Sequence, residues 1–198
     1  MDVMREFPDK HFDLAIVDPP YGIGMDKGAG ETKGDGRKKE DFYLPKKWDA
    51  KRPEPEYFTE IKRVSINQII LGGNYFADLL PASRGWVYWR KLLGGNYSDG
   101  ELGCTSFDRV LREFEKQPQR DGQRIHPTQK PVELYDWLLA NYAKPGQRIL
   151  DTHLGSGSSA IACHYFGAHL TACEIDPDYF AASLTRIEKE TAQTTFDL

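Results

Sequence analysis

The chain has 198 residues, 39% of them hydrophobic and 28% charged, with a net charge of −4, an ordinary balance for one soluble domain with room for a full core. No apolar run approaches the eighteen or more residues of a membrane span, and the start shows no signal-peptide pattern, so a cytoplasmic chain is expected. Three cysteines (Cys104, Cys163, Cys173) form no C-x-x-C pair, and the five histidines show no metal-ligand spacing; this argues for reduced thiols, no disulfide framework and no metal site.

Met1 to Phe7 reads as the tail of a helical turn, with Val3, Met4 and Phe7 on one side, which suggests an element upstream. Pro8-Asp9-Lys10 then turns the chain into Phe12 to Val17, an apolar run expected to be a buried strand. The run ends abruptly in Asp18-Pro19-Pro20-Tyr21. Pro19 lacks an N–H and restricts Asp18 to extended geometry, so the chain leaves the sheet as a stiff turn. A carboxylate and an aromatic ring are thereby held at the carboxyl end of a strand, where open α/β sheets place ligands. A rigid surface turn with a half-buried tyrosine is the blander reading of the same residues.

After Gly22-Ile23-Gly24 come some thirty polar, glycine-rich residues without periodicity. A loop that long is a functional lid or a disordered segment. Met25 to Pro53 carries nine Lys or Arg against six acids, about +3, leaving about −7 elsewhere; it suits either phosphate contact or a solvated loop.

Tyr57, Phe58, Ile61 and Val64 predict a helix over Pro55–Val64, followed by a buried strand, Ile66–Leu71, that ends at Gly72-Gly73-Asn74. A short helix, Tyr75–Leu80, is expected before Pro81, then a strand over Gly85–Trp89. This alternation is the signature of a parallel α/β sheet. Lys91 to Arg124 is polar and glycine-rich around Ser98-Asp99-Gly100-Glu101-Leu102; one final strand is expected within Cys104–Phe114, and a loop over Glu115–Arg124.

His126-Pro127-Thr128-Gln129-Lys130-Pro131 opens a helix with Pro131 in its first position and Leu134, Trp137, Leu138 and Tyr142 facing inward. Arg148–Asp151 is a strand and Gly155-Ser156-Gly157-Ser158 a tight turn. Ser158 or Ser159 can cap the next helix, which runs to Phe166 with Gly167 at its end. Leu170–Ile175 is a strand carrying Glu174, and Tyr179 to about Glu190 a final amphipathic helix. A strand, a glycine turn, a helix and an acid some twenty residues on follow the logic of a nucleotide-type cofactor site. The turn reads G-S-G, however, and not G-x-G-x-x-G.

Taken together, D-P-P-Y after an apolar strand, H-P-T-Q-K-P opening a helix, and D-T-H-L-G-S-G-S followed by Glu174 resemble the amino-methyltransferases of DNA. The catalytic motif comes first and the cofactor motif last, an order that resembles their β class. Gly72-Gly73-Asn74-Tyr75-Phe76 and Ser98-Asp99-Gly100-Glu101-Leu102 resemble phage and mobile-element members. The resemblance, which covers nearly the whole chain, implies a Rossmann-like α/β fold. Its sheet would be mostly parallel, with helices on both faces and a circularly permuted motif order. It implies a single domain over 1–198, a mobile loop at 25–53 and a small target-recognition region at 91–125.

The resemblance further implies S-adenosyl-L-methionine as cofactor, DNA as partner and the N6 amine of adenine as target. N4 of cytosine is the alternative; S-P-P-Y leans towards cytosine, so Asp18 favours adenine. Asp18 and the Pro19 carbonyl would accept the two hydrogens of the amine, with Pro20 completing the turn and Tyr21 stacking on a base turned out of the duplex. Asp151 would hold the cofactor's amino group, and Gly155, Ser156, Gly157 and Ser158 would pass close to its methionine part. Glu174 would bind the ribose, while Thr128 and Lys130 would meet the methionine carboxylate.

Thr152, His153 and Ser158 stand where the family pattern D-P-F-x-G-S-G-T has Pro, Phe and Thr; His153 would pack flat on the cofactor. Family members usually carry a strand and an acidic turn before the segment matching Asp2-Val3-Met4, of which only Asp2 is expected here. The small recognition region, with Arg109, Arg112, Lys116, Arg120 and Arg124, suggests a short or relaxed recognition sequence, or a homodimer. A rival reading is a catalytically silent DNA-binding or accessory subunit.

Overall fold

The structure is a computed structural model, and it describes residues 2–24, 46, 48–93, 98–118 and 124–192. Most of the loop expected at 25–53, and residues 94–97 and 119–123 of the expected recognition region, lie outside the described residues.

The order of elements is α1 (Asp2–Arg5), β1 (Phe12–Val17), α2 (Pro55–Val64), β2 (Ser65–Leu71), β3 (Trp86–Arg90), β4 (Gly100–Thr105), β5 (Arg112–Glu115), α3 (Val132–Tyr142), β6 (Arg148–Asp151), α4 (Ser158–Phe166), β7 (His169–Ala172) and α5 (Pro177–Thr191). The seven strands form one sheet in the order β5-β3-β4-β2-β1-β6-β7. β1 pairs in parallel with β2 and β6, β6 with β7, and β3 with β5; β4 alone runs against its neighbours β2 and β3. This is the Rossmann-like, mostly parallel sheet expected of the chain.

β1 is apolar along nearly its whole length because it lies mid-sheet with both faces covered. Leu14 and Ile16 join Ile69, Leu71, Val87 and Trp89 in a core that includes Leu134 and Leu138 of α3. Ala15 and Val17 join Ile70 and Leu150 in a second core with Phe58 and Ile61 of α2. In α2, Pro55 opens the first turn, and Tyr57, Phe58, Ile61 and Val64 are buried at helical spacing. Its Arg63 donates to the carbonyls of Met4 and Phe7 at 3.1 and 3.0 Å and pairs with Asp9 at 2.8 Å, pinning the N-terminal turn.

Several expectations are corrected. Tyr75–Leu80 is not a helix: only a single 3-10 turn forms, over Gly73–Tyr75, entered through Gly72 in the left-handed region. The stretch between the glycine pair and Pro81 is too short to repay helix nucleation. Residues 91–124 contribute two strands rather than one, and β4 enters the sheet between β3 and β2. It requires glycine there, since a side chain on Gly100 would fall 2.2 Å from the Tyr88 ring. β6 covers Arg148–Asp151 as expected, whereas β7 runs over His169–Ala172 rather than Leu170–Ile175, so Glu174 lies just beyond it. Neither Ser158 nor Ser159 caps α4; Gly157 takes that position in the left-handed region, and the two serines bond elsewhere.

Among the described residues no helix is long and apolar enough to cross a membrane, and no group of His, Cys, Asp and Glu could hold a metal ion.

Candidate active site

β1 delivers Asp18 at its carboxyl end, and β6 and β7 deliver the glycine turn and Glu174 at theirs. A cavity of about 380 Å³ connects the two, with Asp18 and Pro20 at one end and Gly155, Ser156 and Glu174 at the other. That volume lies within the range of small-molecule clefts.

At the Asp18 end, four charged side chains and one phenol interlock. Lys130 donates to Asp18 Oδ2 at 2.6 Å and pairs with Glu101 at 3.0 Å. The Tyr21 hydroxyl lies 2.6 Å from Asp18 Oδ1 and 2.8 Å from Glu101 Oε1. Lys91 closes the group with a 3.0 Å contact to Glu101. The Lys130 and Glu101 side chains are only 6% and 8% exposed. Burial pushes the Asp18 carboxyl above the usual carboxylate range, opposed by Lys130. Burial would raise Glu101 too, but Lys130 and Lys91 outweigh it and hold that carboxyl at about 2. Lys130 itself is held charged by Asp18 and Glu101 against the pull of burial. An ionised carboxylate offers about four acceptor positions, so Asp18 retains capacity beyond Lys130 and Tyr21.

This arrangement bears on two residues of the expected site. The Lys130 ammonium is committed to Asp18 and Glu101, so it is not a free cation awaiting a ligand carboxylate, although Lys130 and Thr128 both border the cavity. The Tyr21 ring is stacked on Tyr75, with centroids 4.5 Å apart at 13°, so one of its faces is already covered.

At the other end, the Gly155 N–H donates to Glu174 Oε2 at 2.8 Å and the Asp176 N–H to Oε1 at 2.9 Å. The acid thus ties the glycine turn to the end of β7. Arg186 of α5 donates to the Ser156 carbonyl at 2.9 Å and to Ser158 Oγ at 2.9 Å, while Ser158 Oγ donates to the Lys130 carbonyl at 2.7 Å. These bonds join the turn to the H-P-T-Q-K-P segment.

Asp151 sits beneath the turn and does not border the cavity. It is 1% exposed, accepting from the His153 N–H at 3.0 Å and from Ser159 Oγ at 2.6 Å. Burial raises its carboxyl to about 6 despite those donors. His153 does border the cavity, and burial lowers its ring to about 4. Pro19, Tyr21 and Gly157 stand behind the lining rather than in it.

The sequence reading missed Glu101 as a site residue, although it lay within a quoted motif. It also missed the aromatic wall formed by Trp48, His126 and Tyr179, whose neighbouring ring centroids are 5.0 and 4.4 Å apart. Burial, followed by the Lys130 charge, lowers His126 to about 4. The only local hint was His126 itself, at the head of its motif.

A ligand reaching both ends would need backbone approach at the turn and hydrogen-bond acceptors beside it. Gly155, at positive φ and in the lining, and the Glu174 carboxylate supply these. The residues therefore fit a nucleoside-type ligand with a polar tail.

Solved structures with the same architecture define the class as a Rossmann-like methyltransferase fold. The M1.HpyAVI–SAM complex aligns at TM-score 0.61, with 18% identity, over 96% of this chain and 91% of that one. The cytosine-N4-specific PvuII DNA methyltransferase aligns at TM-score 0.61, with 14% identity, over 96% and 86%. The DNA methylase family model, covering N6 and N4 enzymes, matches residues 83–185, just over half the chain, and the chain belongs to that family. The type II methyltransferase M.HpaI of Haemophilus parainfluenzae is 22% identical over 228 residues, spanning 94% of this chain and 71% of that protein.

Proposed function

We propose that the chain transfers a methyl group from S-adenosylmethionine to the N6 amine of adenine in DNA. The observation that carries this reading is the single cavity joining Asp18 to the Gly155–Glu174 turn. When bound, the cofactor supplies an electrophilic methyl group on a cationic sulfur. Glu174 and the Gly155–Ser156 backbone would hold its nucleoside part, and Thr128 borders the same cavity.

An aromatic amine is a weak nucleophile because its lone pair is delocalised into the ring. Asp18, which borders the cavity, and the Pro19 carbonyl of the adjoining turn would accept its two hydrogens and favour the pyramidal geometry in which that lone pair is free. The nitrogen would then attack the methyl carbon directly, the electron pair of the carbon–sulfur bond remaining on the donor's sulfur. Asp18, already biased towards protonation by burial, receives the amine proton. No covalent enzyme intermediate is needed. The target amine cannot be reached while its base is stacked, so the base turns out of the duplex against Tyr21, which Tyr75 backs.

N4 of cytosine offers the same NH₂ geometry, and the fold neighbour PvuII methyltransferase is specific for it; the acid at the first motif position favours adenine here. The test is incubation with cofactor labelled in its methyl group and unmethylated DNA, then mass spectrometry of the nucleosides. Label on N6-methyladenine supports the reading, label on N4-methylcytosine replaces adenine with cytosine, and label on neither overturns both.

A further inference from the structure

One phenolic hydrogen faces two carboxylates. The Tyr21 hydroxyl is 2.6 Å from Asp18 and 2.8 Å from Glu101, and it can donate to one at a time. The Lys130 ammonium spans the same pair at 2.6 and 3.0 Å. The two acids differ in how firmly they are held. Glu101 lies inside β4, opposite Trp89 of β3 in register, and Lys91 fixes its outer oxygen at 3.0 Å. Asp18 sits beyond the end of β1, on the turn that borders the cavity.

We propose that Glu101 is a positioning residue for methyl transfer: it takes the Tyr21 hydrogen and anchors the Lys130 ammonium when Asp18 turns to the target amine. The assignment rests on the methyltransferase reading above. The exchange breaks no covalent bond; the Tyr21 O–H rotates from Asp18 to Glu101 and keeps its proton. Two acids and two lysines balance in the buried group, so the ammonium is never left without a carboxylate. Without the Glu101 charge, Lys130 would have Asp18 as its sole carboxylate. The amine would then meet an acceptor held in place by a competing cation.

Two variants of the full chain test this. Glu101→Gln keeps shape and an acceptor for Tyr21 but removes the charge that holds Lys130. The expected result is a kcat at least tenfold lower, with the KM for DNA and the Kd for cofactor within twofold of the parent. A parent-like kcat, or an equal loss of cofactor binding, would overturn the assignment. The second readout needs no activity: nitrogen-15 NMR of the lysine ammonium groups in the cofactor-free protein. In Asp18→Asn the Lys130 signal should stay protected from solvent exchange, because Glu101 still holds it; loss of that protection would overturn the assignment. Absence of transfer by the parent chain would instead sink the methyltransferase reading, and the ammonium signal is measured independently of it.

Discussion

A side chain on Gly72 would fall 2.1 Å from Tyr21 Cε1 and 2.5 Å from Cζ, so the tyrosine ring occupies the space that any larger residue would need. Gly72 also has φ +67, where a Cβ is strained. Gly72→Ala should therefore displace the ring and its hydroxyl from Asp18. The expected cost is about 1–3 kcal/mol of stability, seen as a lower denaturant midpoint. Methyl transfer should fall at least tenfold while cofactor affinity stays within threefold. Unchanged transfer would show that Tyr21 has no part in the reaction.

Glu174 holds two backbone N–H groups, those of Gly155 and Asp176. Glu174→Ala removes both acceptors along with the carboxylate offered to the ligand. Hydrogen bonds to a charged group contribute about 1.5–3 kcal/mol each, so cofactor binding should weaken by roughly ten- to a hundredfold. Calorimetric titration with S-adenosylmethionine measures this, and an unaltered Kd would remove Glu174 from the site.

Asp151 gives a pH signature. Burial raises its carboxyl from 3.8 to about 6 in the folded chain. A raised folded value means that its stabilising contribution is complete below pH 3.8 and disappears as pH rises through about 6. Asp151→Asn, which still offers an acceptor to the His153 N–H, should gain on the parent by about 2 kcal/mol between pH 4 and pH 7. Buried His126 and His153, both near 4, act in the opposite sense. Their contribution cancels in the difference between the two proteins. Denaturant unfolding of both across that range is the measurement; a difference that does not change with pH would contradict the assigned environment.

The elements whose side chains repeat regularly were readable from the sequence. β1 announced itself as an apolar run closed by Pro19, and α2 by Pro55 and four apolar residues at helical spacing. β4 was not readable: Gly100 and Gly103 give it the composition of a loop, and Gly100 is there because the Tyr88 ring and the Trp89 carbonyl leave no room. Glu101 was hidden for a related reason. A buried acid has no periodic signature, and its partner Tyr21 lies 80 residues away. Lys130 could be placed near the site from its motif, but only the folded sheet shows that its partners are the two acids. Asp151 likewise belonged to a recognisable motif, and only the fold shows it closed over by the His153 N–H and the Ser159 hydroxyl of α4.

The central claim is that Asp18 activates an amine presented to a methyl donor held by the other end of the same cavity. Single-turnover methyl transfer by Asp18→Ala, measured beside calorimetric cofactor binding, tests it most directly. The expected result is transfer reduced by a factor of about 10³ or more, in line with loss of a general base together with an orienting contact, and a cofactor Kd within threefold of the parent. Transfer at the parent rate would contradict the account.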